Sequence, residues 1–158
     1  MAESGAGADA RGVDSKKEKA RELWERLGNS RPGPDNKDLL YLARFVPLLS
    51  NAAAKTLLSR KLSLDELKEM IQYVPKAQDA AMKLALKFPP EDLSENDLRF
   101  IVTHTKSADA AKVLLKRHPN EAALAFVERT VEGMQETVDR IRAKELTRDV
   151  LKEIDRAL

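Results

Sequence analysis

DLLYLARFVPLLSNAAAKTLL (38–58) and ELKEMIQYVPKAQDAAMKLAL (66–86) are two copies of one pattern, set 28 residues apart. Leu39 meets Leu67, Leu42 meets Met70, and Ala43 meets Ile71. Phe45-Val46-Pro47 then meets Tyr73-Val74-Pro75, and Ala52-Ala53 meets Ala80-Ala81. A third copy, DLRFIVTHTKSADAAKVLL (97–115), keeps Leu98, Ile101, Val102 and the pair Ala110-Ala111, but lacks the Val-Pro corner. Self-similarity at this period is the mark of a helical repeat array, in which each unit needs its neighbours to bury its apolar face.

Each copy reads as two short helices. Capping signals open the first: Asp35 before Asp38, Ser63 before Glu66, Ser94 before Asp97. Such pairs satisfy backbone donors that no helical turn can reach. Apolar residues then recur at i, i+3, i+4 and i+7, as in Leu67, Met70, Ile71 and Val74, giving one buried stripe. Pro47 and Pro75 break the first helix and start the second, where a missing N–H costs nothing. The alanine pairs mark a close helix crossing, and the aromatic at 45 and 73, replaced by His104 in the third copy, is expected to pack at the hairpin corner.

Outward from the repeats the pattern changes. Residues 1–14 are small and polar and read as a disordered tail; 15–27 read as an N-terminal helix with Ser15 as cap; 28–36 are a Gly/Pro linker; 37–158 form the helical-repeat domain. Beyond Pro119, Leu124, Val127, Val131, Met134, Val138 and Ile141 alternate by three and four, the stripe of one longer helix with Gly133 inside it. The segment 146–158 echoes a first helix, with Thr147 as its cap. The expected fold is all-α: a short α-α superhelix, or solenoid, of about three helix-hairpin repeats with a longer C-terminal helix. Neither the tetratricopeptide signature nor the ankyrin T-P-L-H occurs in it.

Composition narrows the function. With 158 residues the chain can bury a core without staples, and with no cysteine it has no disulfide, thiolate nucleophile or cysteine-based zinc site. No apolar run spans a membrane and no secretory h-region is present, so a cytoplasmic protein is expected. His104 and His118 stand alone, without H-E-x-x-H spacing, and read as structural; no metal or other cofactor is expected. There is no G-x-S-x-G elbow and no phosphate-cradling glycine loop. Carboxylates cluster at helix starts, where the helix dipole favours them. Nothing here reads as an enzyme.

What remains is binding. Cations recur towards the end of each second helix: Lys55, Arg60 and Lys61, then Lys83 and Lys87, then Lys112, Lys116 and Arg117. In a solenoid these would line one edge as a basic ridge suited to nucleic acid; they also complement helix C-termini. The net charge of +2 and an aromatic content of 4% favour a protein partner over nucleic acid. The leading expectation is therefore a non-enzymatic protein–protein interaction module or scaffold, and the alternative is nucleic-acid binding through the ridge. Trp24 is a candidate partner contact, although capping of the first repeat is the more frequent role for such a helix, and the stripe 124–141 reads as internal packing before a homodimer seam.

Overall fold

The computed structural model describes residues 2–29 and 33–157, and the side chains from Ser15 onward. Residues 30–32 of the expected linker, with Met1 and Leu158, lie outside the described residues. Among the described residues there are nine α-helices and no strand, and no helix is long and apolar enough to cross a membrane. The chain divides into two compact units, Met1–Ala77 and Gln78–Leu158, so that the division falls inside the second repeat.

The first unit contains α1 (Ala2–Asn29), α2 (Asn36–Phe45), α3 (Ser50–Leu58), α4 (Leu64–Tyr73) and a 3-10 turn at Pro75–Ala77. α1 begins well upstream of Ser15, where the sequence reading opens it, and carries Gly5, Gly7 and Gly12 in that added stretch. Each glycine costs about 1 kcal/mol relative to alanine in a helix interior. The two repeat helices start as their caps dictate. Asp35 Oδ1 accepts from the Asp38 N–H at 2.8 Å, and Ser63 with Glu66 forms a complete capping box. α2 and α4 end at Val46 and Val74, because the following prolines cannot continue an i→i−4 ladder. α2 packs against both α3 and α4, and Leu39, Leu42, Ala53, Leu57, Leu67, Met70 and Ile71 are buried there. Ser50 Oγ donates to Ala43 O at 2.8 Å, tying the start of α3 to the end of α2.

The second unit contains α5 (Gln78–Ala85), α6 (Glu95–Thr105), α7 (Ala108–Arg117), α8 (Glu121–Thr130) and α9 (Gln135–Ala157). α6 is its centre, packed against α5, α7 and α8, while α9 pairs with α8. The third copy turns its corner without proline. Lys106 takes the left-handed conformation at φ 51, and Ser107 caps α7 by accepting from Asp109 and Ala110. Gln78 Nε2 donates to His104 O at 2.9 Å.

Three expectations need correction. The stripe from Leu124 to Ile141 belongs to two helices, because Gly133 at φ 78 reverses the chain between α8 and α9. Five of its six residues, from Leu124 to Val138, are buried within the chain, the packing expected of an internal stripe. Thr147 caps nothing: α9 runs straight through, and the Thr147 hydroxyl donates to Ala143 O one turn back. The alanine register also shifts by one. Ala53-Ala54 and Ala110-Ala111 are buried pairs, but Ala80 is exposed, and α5 instead buries Ala81, Met82 and Ala85, after Ala77 in the turn before it. The shift is the same in both copies: Ala53, Ala54 and Leu57 of α3 stand 28 residues before Ala81, Met82 and Ala85 of α5, so the buried face lies one residue beyond the pair that the sequence pattern marks.

Candidate functional site

Helix α2 carries two faces. Leu39, Leu42 and Ala43 form the buried stripe; Tyr41 and Phe45, one turn apart on the opposite side, are 61% and 57% exposed. Their rings meet at 5.1 Å between centroids, tilted by 48°. On α4 the equivalent of Phe45 is Tyr73, also 45% exposed. Arg44 binds these rings into one patch. Its guanidinium lies 3.7 Å from the Tyr73 ring centroid and 4.8 Å from that of Phe45, and its Nη1 donates to Glu69 Oε1 at 2.8 Å. Leu48, 52% exposed, follows at the corner.

This arrangement corrects the sequence reading of positions 45 and 73, which are surface positions and not corner packing. The missed signal is their phase: Tyr41, Phe45 and Tyr73 all stand opposite the Leu39/Leu42 and Leu67/Met70 stripes. Exposed rings pinned by an arginine are chemically suited to hold a polypeptide. Aromatic rings and guanidinium groups bury large area at small entropic cost, and such residues dominate binding energy at protein interfaces. Glu69 and the two rings hold Arg44 in place, an ordering that lowers the entropic cost of any contact made there. In the second unit the corresponding pair on α6 is Phe100 and His104, with centroids 4.4 Å apart, both half-buried.

The basic-ridge candidates fall three in the first unit and five in the second. Lys55 and Lys61 are exposed, whereas Arg60 Nη1 donates to Pro34 O at 2.8 Å and to Asn36 Oδ1 at 3.1 Å. Lys83 pairs with Asp79 at 3.0 Å; Lys87, Lys112 and Lys116 are exposed. Arg117, half-buried, donates from Nη2 to Phe88 O at 3.2 Å. Arg60 and Arg117 thus do the same structural work in their own units: each ties the end of a second helix to the segment leading into a first helix. Trp24 is half-buried and lines a cleft of about 320 Å³ with Gly28, Gly33, Pro34, Thr56 and Arg60. His118 ends α7 through its own backbone, and among the described residues no three His, Asp or Glu side chains gather as metal ligands would.

Electrostatic shifts mark helix ends and one helix pair. Burial pushes the Glu66 carboxyl up, but hydrogen bonds from the Ser63 backbone and from the Asn36 and Ser63 side chains outweigh it and hold the group below its ordinary value. Glu128 is held low by hydrogen bonds from Gln135 and Arg142. Arg142 bridges α9 to α8, 2.7 Å from Glu121 and 2.9 Å from Glu128, and these partners raise its pKa. No protein-family model matches the chain, and neither a curated protein nor a solved structure matches it.

Proposed function

We propose that the chain is a non-enzymatic protein-interaction module, a short α-α superhelix of helix hairpins working in the cytoplasm, that holds a partner polypeptide on the aromatic face of α2 and α4. The observation that carries this reading is the exposure of both tyrosines of the chain, with Phe45, around a single pre-positioned arginine. Buried, these rings would have added core; exposed, they contribute to folding far less than they contribute to a contact. The superhelix part of the proposal rests on the repeat: the same caps, stripe and small-residue crossing recur in each copy, and stacking is what such copies need to bury their faces. The non-enzymatic part rests on the sequence, which pairs no nucleophile with a base.

Affinity capture from native lysate tests it, with the wild-type chain beside Phe45→Ala and Tyr73→Ala, at low and high salt and with nuclease. A partner retained by wild type at high salt and lost with either variant supports the reading, provided both variants melt as wild type does. Retention of nucleic acid at low salt, unaffected by these variants and abolished by charge reversal at Lys87, Lys112 and Lys116, would replace it with the basic-ridge alternative.

A further inference from the structure

The outer half of α9 is a helix without a partner. Only Val138 of its 23 residues is buried, and every residue from Leu146 to Ala157 is exposed. A helix of about 12 residues with no tertiary packing is marginal in water. Yet this stretch carries an apolar stripe, with Leu146, Val150, Leu151 and Ile154 exposed by 66%, 45%, 56% and 48%. Asp149 and Glu153, one turn apart, run along one edge of the stripe, and among the described residues neither makes an ion pair. Lys144 and Arg148 lie along the other, where Arg148 pairs with Glu145 of its own helix at 3.3 Å.

In the first unit a second apolar surface is underfilled. A groove of about 600 Å³ runs between α1 and the turn from α2 to α3, floored by Ala20 and Leu23 on one side and Val46, Pro47 and Leu48 on the other. Lys16 and Lys19, exposed and one turn apart, stand on its α1 wall, and neither makes an ion pair among the described residues. The two surfaces match in shape class and in sign. An apolar helix face fits an apolar groove, and two acids at i, i+4 spacing meet two lysines at i, i+3 spacing, both about 5–6 Å apart.

We propose that copies of the chain associate head to tail, the outer half of α9 of one copy seated in the α1/α2–α3 groove of the next, with Asp149 and Glu153 against Lys16 and Lys19. A second copy is the occupant because each chain carries both halves of a contact whose apolar faces and charges are complementary. Symmetric pairing of the stripes fits less well. An antiparallel pair sets each edge against its own copy, acid against acid, and a parallel coiled coil wants three to four heptads where this stripe spans fewer than two. The contact is small, so the association is weak and shows at high micromolar concentration.

Sedimentation velocity over a concentration series of the full chain tests the proposal. Two variants are compared, Lys16→Glu/Lys19→Glu for the groove and Val150→Asp/Ile154→Asp for the stripe; all four side chains are exposed, so the fold should survive, and far-UV CD checks that it does. Wild type should rise in mass with concentration and each variant alone should stay monomeric. Mixed together, the variants should form a one-to-one dimer, because one retains the helix and the other the groove. A wild type that is monomeric throughout overturns the proposal. So does a groove variant that self-associates as wild type does, which would mean α9 pairs with α9, or a mixture that gives no dimer.

Discussion

Replacing Gly133 with alanine distinguishes the two-helix hairpin from a continuous helix by the sign of a stability change. Gly133 sits at φ 78 between α8 and α9, and an added Cβ there meets nothing within 4 Å. The cost is therefore conformational and not steric. Alanine in the left-handed region is disfavoured by about 1–2 kcal/mol. The lower entropy of the unfolded alanine chain returns about 0.4–1 kcal/mol of that. The balance is a destabilisation of about 1 kcal/mol, which in a chain of this size lowers the melting temperature by roughly 2–4 °C. Had the stripe from Leu124 to Ile141 been one helix, the same substitution would have stabilised it by about 1 kcal/mol. Far-UV CD melts and urea titrations of Gly133→Ala and Gly133→Asn measure it. Asparagine tolerates positive φ and should lie between wild type and alanine. A melting temperature that rises for Gly133→Ala would refute the hairpin between α8 and α9.

Four further outcomes follow from the same reasoning. Lys106→Gly relieves a lysine at φ 51 and should stabilise the chain by about 0.5–1 kcal/mol, read as a higher urea midpoint. Ala111→Leu overpacks a fully buried position and should cost about 1–3 kcal/mol, whereas Ala80→Leu on the exposed side of α5 should stay within about 0.5 kcal/mol of wild type. Ser63→Ala removes half of the capping box and should cost about 1 kcal/mol by the same melts. Because the Glu66 carboxyl is held low in the folded chain, its contribution is present above about pH 4.3, the unfolded value, and is lost as pH falls through the folded value; Glu66→Gln should flatten that acid limb in melts from neutral to acid pH.

The starts and buried faces of α2, α4 and α6 were legible because their signals are local. Asp35, Ser63 and Ser94 each accept the hydrogen bond that a residue three places on predicts, and the Leu67/Met70/Ile71 stripe is buried as its period requires. The facing of second helices was not legible. The pairs Ala52-Ala53 and Ala80-Ala81 look alike, but each is one residue out of phase with the buried face, because small side chains do not mark which side of a helix meets the core. Gly133 misled for a related reason: apolar spacing of three and four continues across a tight turn when both of its arms bury the same side. The aromatic patch runs against the usual burial of large rings. Reading Tyr41, Phe45 and Tyr73 against the phase of their own helices places them outside, whereas the grip of Arg44 on Tyr73 joins two repeats and needs the fold.

The most direct test of partner binding at the aromatic face is photo-crosslinking in cells, with benzoylphenylalanine installed singly at Tyr41, at Tyr73, and at the basic-ridge positions Lys55 and Lys112. One discrete polypeptide adduct is expected from positions 41 and 73, absent from 55 and 112, and lost when Phe45→Ala is added. Adducts of equal yield from all four positions, or nucleic acid captured at 55 and 112 with nothing at 41 and 73, would contradict it.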